Sequence, residues 1–467
     1  LIIKLILLVQ FTQCNQLTVN TTYGVLRGRE FSSRNGRIVA AFHAIPFAKP
    51  PLGELRFQDP QPPEPWLGVR EAYNFGSVCV QIPFLFLPVG TTKLGNEDCL
   101  YLSVYSPNLK PKKLLPVLVY LNYGGFFLGS GEIDRSPEFF SDYDIVVVMP
   151  NYRLGVFGFL TMEDDIMPGN MGLKDQVMAL VWVKNNIANF GGDPNQVTLI
   201  GESAGGACVH YHMYSPMSKV FLPIFDTNAS NPFLPFNPHN VVPAPIPWIV
   251  SAGSLEGLVR TGAFVQAPDS LTEFDQKFNQ VAPISLLFDN TASKPEQVAK
   301  QIREFYFGGK SITMKLFRNL SDMYTDGLFI WPVVKALRKH RGPHYFYYFN
   351  YLGENSYQES FAGEIVLTGS AHMDDALYVW RNKNPFEIPP PTSSQDLYIS
   401  NLLLKLFYNF ISLGEPTPSG FDFDWPQWND HEQNFLSIEN SGVTINSTLF
   451  PERMQFWEQL NFRDNVD

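Results

Sequence analysis

A chain of 467 residues that is 45% hydrophobic and 17% charged, with a mean hydropathy of −0.08, has material for a large core and does not read as a polytopic membrane protein. Its formal net charge of −11, with no basic run, argues against nucleic acid and anionic membrane surfaces as partners. The 39 Phe and 20 Tyr suit an apolar binding cavity, although ordinary core packing uses most such residues.

The chain opens with LIIKLILLVQFTQCNQ, in which one lysine precedes an apolar run and then a polar stretch. This is the layout of a secretory signal, here incomplete because no initiator Met is present, and it is too short to span a bilayer. Residues 1–16 are therefore expected to be a signal peptide and 17–467 one large domain, since no linker divides the remainder. Secretion agrees with four acceptor sequons, at Asn20, Asn228, Asn319 and Asn446. Of the cysteines, Cys14 belongs to the signal and Cys208 lies in a predicted helix as a buried thiol. Cys79 and Cys99 are left as a pair in an oxidising compartment, closing a loop worth about 3 kcal/mol in the chain-entropy account.

Further along, Leu115–Leu121 (LPVLVYL) and Ile145–Met149 (IVVVM) read as buried strands. Leu173–Ala188 reads as a helix with Leu180, Val183 and Ile187 on one face. Val197–Ile200, Trp248–Ser251 and Phe346–Tyr351 are further strands, and the Pro-rich stretches 60–65, 232–247 and 389–391 are surface loops. Strand and crossover helix in alternation predict an α/β chain with a mostly parallel sheet flanked by helices. No His or Cys cluster has metal-ligand spacing: His210 and His212 lack the i, i+4 separation of a zinc pair. No metal and no cofactor are expected, and the oligomeric state is not legible.

The segment FGGDPNQVTLIGESAGG, residues 190–206, carries the chemistry. An apolar strand runs into Ser203, and Gly201 and Gly205 flank it where a strand must reverse into a helix and any side chain would strike backbone. Such a turn exposes the serine Oγ and sets the Ala204 N–H at a helix N-terminus, suited to an oxyanion. A Gly-x-Ser-x-Gly string arises by chance in about one chain in ten of this length, but the strand before and the helix after it make an accident much rarer.

With this elbow, EDCLYLSVYSP (Glu97–Pro107) resembles the two signature segments of type-B carboxylesterases, the group that includes cholinesterases and insect juvenile-hormone esterases. The similarity continues through AIPFAKPPLGELRF, NYRLGVFGFL, GNMGLKDQ, GEPTPSG and WPQW. The resemblance implies an α/β-hydrolase fold and a serine hydrolase of small hydrophobic esters. It further implies that SLEGL supplies Glu256 and GSAHMDDALYVW supplies His372, so that Ser203, Glu256 and His372 form a triad. Asp374, Asp375 and Glu202 are competing carboxylates, of which Glu202 is better placed to tune the local field. An HGGGF-like turn is read here as Asn122-Tyr123-Gly124-Gly125-Phe126, giving Gly124, Gly125 and Ala204 as the oxyanion hole. Tyr123 stands where the family has glycine, and is strained if that position needs a positive φ. Two buried ion pairs are also implied, Arg56 with Glu97 and Arg153 with Asp175.

The chain departs from this pattern just after the elbow. Ser203 and Glu256 are 53 residues apart, where relatives use about 125. Some 70 residues are thus missing near Lys219 and Val220, which predicts a fold lacking one strand and the helices after the elbow. If the sheet closed over the gap, Glu256 would shift by about 4.8 Å, one strand spacing. Val220–Asp226 could fill the slot only against Pro223, which has no N–H to donate. The alternative to a working esterase is therefore an impaired enzyme, or a non-catalytic recognition or ester-sequestering protein.

Overall fold

The computed structural model describes residues 17–82, 93–162, 164, 166–218, 231–234, 241–383, 387–460 and 462. The expected signal at 1–16, the segment Val220–Asp226 and the sequon at Asn228 lie outside the described residues.

The strands that position the site are, in chain order, β1 (Arg29–Ser32), β2 (Ile38–Pro46), β3 (Tyr101–Ser106), β4 (Leu115–Leu121), β5 (Arg135–Ser136) and β6 (Val146–Pro150). They continue with β7 (Gly192–Gly201), β8 (Trp248–Gly253), β9 (His344–Asn350), β10 (Arg381–Asn382), β11 (Asn434–Glu439) and β12 (Gly442–Ser447). Four helices matter here: α1 (Met171–Asn186), α2 (Ala204–His212), α3 (Phe317–Thr325) and α4 (Ser394–Leu413).

One six-stranded sheet runs β7-β4-β6-β3-β2-β1, and a four-stranded sheet runs β8-β9-β11-β12. Pairing is parallel at β7–β4, β4–β6, β8–β9 and β9–β11, around the elbow, and antiparallel toward the outer edges. The uninterrupted apolar runs follow from burial on both faces. In β4 and β6, Leu118, Tyr120, Val147 and Met149 enter one core with residues of α4. Their neighbours Val117, Val119, Val146 and Val148 enter the other with Leu173, Leu180, Val183 and Ile187 of the α1 region. The predicted strand at Val197–Ile200 is the regularly paired part of β7, reached after a register irregularity between Gly192 and Val197.

The two sheets end at the strands that the shortened segment connects. Among the described residues β7 pairs only with β4, and β8 only with β9. Among the described residues the sheet has not closed across the gap, so the condition under which Glu256 would shift by one strand spacing is not met. A strand with one open edge is less covered, and Val197–Gly201 of β7 are only half-buried where Val117–Leu121 of β4 are fully buried. Contact between the halves is made instead by α2 and its C-terminal turn. His210 stacks on Trp248 with ring centres 5.2 Å apart and planes 7° from parallel, and the Ala244 N–H donates to the Met213 carbonyl at 2.9 Å.

Cys79 and Cys99 form a disulfide with Cα atoms 5.0 Å apart, and Cys208 is a free, buried thiol. Arg153 and Asp175 form a bidentate pair with side chains 3% and 0% exposed. The expectation of a second buried pair is corrected: Arg56 and Glu97 do bond through two contacts, at 2.5 and 2.8 Å, but the Arg56 side chain is 43% exposed. The motif specifies the partners; burial depends on how much chain covers the surrounding loop. Among the described residues no helix is long and apolar enough to cross a membrane.

Candidate active site

Steric limits build the elbow. A Cβ on Gly201 would lie 2.3 Å from backbone of Gly205, and one on Gly205 would lie 2.1 Å from the Leu121 carbonyl oxygen. Only glycine lets β7 turn back into α2 while lying against the end of β4. Ser203 absorbs the reversal at φ 55°, ψ −121°, a region that non-glycine residues seldom occupy, and it is exposed.

The end of β4 leads into the turn at Asn122–Phe126, which therefore lies beside the elbow. Positive φ falls on Gly124 (109°), Gly125 (62°) and Phe126 (68°), and not on Tyr123. The substitution for glycine at Tyr123 thus adds no backbone strain, and Phe126 takes the strained conformation. Among the described residues no backbone hydrogen bond uses the N–H groups of Gly124, Gly125 or Ala204 as donors.

Glu256 follows β8, and its carboxylate has two partners. Oε1 accepts from the Gly253 N–H at 2.6 Å, and Oε2 accepts a short hydrogen bond from His372 Nδ1. The two loops are zipped together, with Leu255 N–H donating to the Ser370 carbonyl at 2.9 Å and Ser370 N–H to Ser254 Oγ at 2.9 Å. The Phe329 ring, on the π-helical turn that continues α3, lies against the imidazole at 5.0 Å.

The other carboxylates have separate tasks. Asp374 accepts from Ala371 N–H, Tyr357 N–H and Ser356 Oγ, which holds the histidine loop. Asp375 accepts from Tyr347 Oη and Ser251 Oγ. Glu202 is bound by Arg135, through Nε at 3.2 Å and Nη2 at 2.7 Å. Of the four, Glu256 alone bonds the imidazole. Burial lowers the His372 pKa, but the Glu256 charge and hydrogen bond outweigh it, with Asp375 and Glu202 adding, so it stands above the ordinary imidazole value.

Ser203 Oγ makes no hydrogen bond to His372 Nε2 in this arrangement; the imidazole's hydrogen bond is to Glu256. The elbow and the oxyanion turn belong to the first sheet, the Glu256–His372 pair to the second. His212 is occupied by Gln176 and Ser218, and among the described residues no three His, Cys, Asp or Glu side chains group as metal ligands do. Arg135, Tyr357 and Phe329 border the site without having been foreseen. No local motif marks Arg135, whose place depends on the pairing of β5 with β10, distant in sequence.

A model of the carboxylesterase family matches residues 15–227 and, starting again, 220–457. The chain belongs to the carboxylesterase family. It is accordingly a carboxylic ester hydrolase by class. This carboxylesterase is 31% identical to a juvenile hormone esterase of Tribolium castaneum, over 96% of this chain and 94% of that protein. It is 31% identical to venom carboxylesterase-6 of Apis mellifera, over 96% and 95% respectively. The crystal structure of juvenile hormone esterase from Manduca sexta with OTFP covalently attached superposes with a TM-score of 0.77, over 95% of this chain and 99% of that one, at 24% identity. That likeness establishes an α/β-hydrolase fold. The alignment with the Tribolium castaneum protein runs over 558 positions against 467 residues here, so at least 91 positions have no counterpart in this carboxylesterase. The restart of the family match at 220 coincides with the open edges of β7 and β8.

Proposed function

We propose that this carboxylesterase is secreted and cleaves small hydrophobic esters through an acyl-enzyme on Ser203. The observation that carries the reading is the hydrogen bond between His372 and Glu256, formed across 116 residues at the open end of one sheet, with a strained serine at the end of the other. His372 Nε2 removes the Ser203 proton as Oγ attacks the ester carbonyl, and Glu256 holds the tautomer and stabilises the imidazolium. The N–H groups of Gly124, Gly125 and Ala204 receive the oxyanion, the alcohol leaves with the proton from His372, and water repeats the sequence on the acyl group. Secretion is supported by the signal-like residues 1–16, the Cys79–Cys99 disulfide, and the exposure of the sequon residues Asn20, Asn319 and Asn446.

Because His372 must be neutral to accept the proton, and its pKa is raised, kcat/KM is expected to fall as pH drops through a midpoint above the ordinary imidazole value of about 6.5. A pH–rate profile with its acid limb below that value would contradict the assignment of His372 as base. The direct test compares release of alcohol from a short-chain aryl ester by the wild type and by Ser203→Ala, alongside stoichiometric phosphonylation of Ser203. Turnover and labelling confined to the wild type are expected, and equal rates in the two proteins would sink the proposal.

One observation favours a second reading, that of an impaired esterase holding esters without cleaving them: the serine and its base sit on separate sheets and do not bond. Ester binding by wild type and Ser203→Ala alike, with no alcohol released by either, is the result that reading requires.

A further inference from the structure

Arg135 touches all three loops of the proposed site. Its backbone is in β5, which pairs antiparallel with β10, Arg135 lying opposite Asn382. β10 directly follows the 3-10 turn Asp374–Tyr378 that leaves His372, so the arginine is tied to the histidine loop. The side chain reaches the other two. It binds Glu202, the residue before Ser203, and its guanidinium carbon lies 4.6 Å from the ring centre of Tyr123, the residue before Gly124. Tyr357 packs on the guanidinium at 5.9 Å and is itself held by Asn382 Nδ2, which donates to its Oη at 2.6 Å.

The pair is deeply buried, with side chains 1% and 9% exposed for Arg135 and Glu202. Ion pairs in such places are weak sources of stability, because desolvation offsets most of the attraction, and apolar replacement is often neutral. A role in positioning and electrostatics accounts better for these contacts. Glu202, Glu256 and Asp375 are the carboxylates whose charges act on His372. Asp375 is held by two hydroxyls, whereas Glu202 is matched by a full cation in bidentate geometry.

We propose that Arg135 is a positioning residue that clamps the elbow to the turn of Gly124 and Gly125 and offsets part of the charge of Glu202, limiting its pull on His372 beside those of Glu256 and Asp375. The inference rests on His372 being the base, and it is tested by a titration, which needs no turnover. Other ionisable groups around the pair are the phenols of Tyr120, Tyr123, Tyr347 and Tyr357 and the carboxyls of Asp134 and Asp375. Burial raises Asp134 to about 7, so an Asp134→Asn background removes its own protonation from the measurement.

The experiment is the NMR titration of His372 in full-length protein labelled at the histidine ring carbons, assigned with His372→Gln. Glu202→Gln removes a carboxylate whose charge raises His372 and leaves the Arg135 cation unpaired, and is expected to move the midpoint down. Arg135→Met leaves an unpaired carboxylate and moves it up, and the double variant returns it to the wild-type value. Arg135→Lys, which keeps the charge without the planar fork, holds the midpoint near wild type. Midpoints unchanged in both single variants, or moved in the same direction, overturn the proposal. If Arg135→Met does not fold, Glu202→Gln decides alone: a downward move supports the role and an unmoved midpoint ends it. A wild type that titrates as described but releases no alcohol refutes the esterase mechanism and leaves this inference standing.

Discussion

Glu256→Gln is expected to lower kcat/KM by about ten-thousandfold with the fold retained. Glu256 has two neighbours with the same demand: the Gly253 N–H, 2.6 Å from Oε1, needs an acceptor, and so does the Nδ1 proton of His372 at Oε2. A carboxylate serves both. A carboxamide has one oxygen, and satisfying the backbone N–H turns its NH₂ toward Nδ1. The imidazole then carries its proton on Nε2 and cannot act as a base through that nitrogen in that tautomer. Shape and volume are preserved, so the loss would be chemical. The measurement is steady-state hydrolysis of an aryl ester, with circular dichroism to confirm folding; a decrease smaller than tenfold would remove Glu256 from the triad.

The second large effect is one of stability. Asp175→Asn leaves the Arg153 guanidinium buried without its counter-charge, and breaking a buried pair from one side costs about 3–5 kcal/mol. Asp175 accepts three hydrogen bonds from that one residue: the backbone N–H at 3.0 Å, Nε at 2.8 Å and Nη2 at 2.8 Å. The loss would extend to the site. A Cβ at Gly158 or Gly172 would come within 2.2 or 2.4 Å of the Arg153 carbonyl oxygen, so the loop is closely enclosed. The next turn delivers the Gly155 N–H to the carbonyl of Phe126 at 2.7 Å, just beyond Gly124 and Gly125. Urea unfolding monitored by tryptophan fluorescence should show the lowered midpoint, and a loss under about 1 kcal/mol would mean that the pair is replaceable, as surface pairs are.

What could be read from the chain follows how local each constraint is. The elbow was legible because strand, Gly-x-Ser-x-Gly string and helix are adjacent in sequence and Gly201 is forced by a contact with nearby Gly205, although Gly205 itself is forced by Leu121 of β4. Glu256 and His372 were legible only through motif resemblance, since nothing local to either residue indicates the other. The strain foreseen at Tyr123 belongs to Phe126, because the dihedral pattern of the turn depends on where β4 ends and not on the residue replaced. Arg135 escaped notice because its role requires knowing that Arg135 and Ser136 pair with residues 381–382. Residue counting found the shortened connection after the elbow but could not say whether the sheet would close, since that depends on packing of whole layers. The stack of His210 on Trp248 is part of how the open arrangement is held.

The open seam between β7 and β8 also changes what rigidity means in this molecule. In a continuous sheet, the spacing between a nucleophile and its base is set by a ladder of backbone hydrogen bonds, and altering it means breaking several at once. Among the described residues that spacing is set here by side-chain stacking, a shared core and the two-residue pairing of β5 with β10, a far smaller ladder than a continuous sheet provides. A displacement of about 1 Å, enough to change a rate roughly a hundredfold, would leave the strand pairing within each of the two sheets unaltered. Folding and catalysis are thereby largely uncoupled: a well-folded chain can be poorly aligned for reaction.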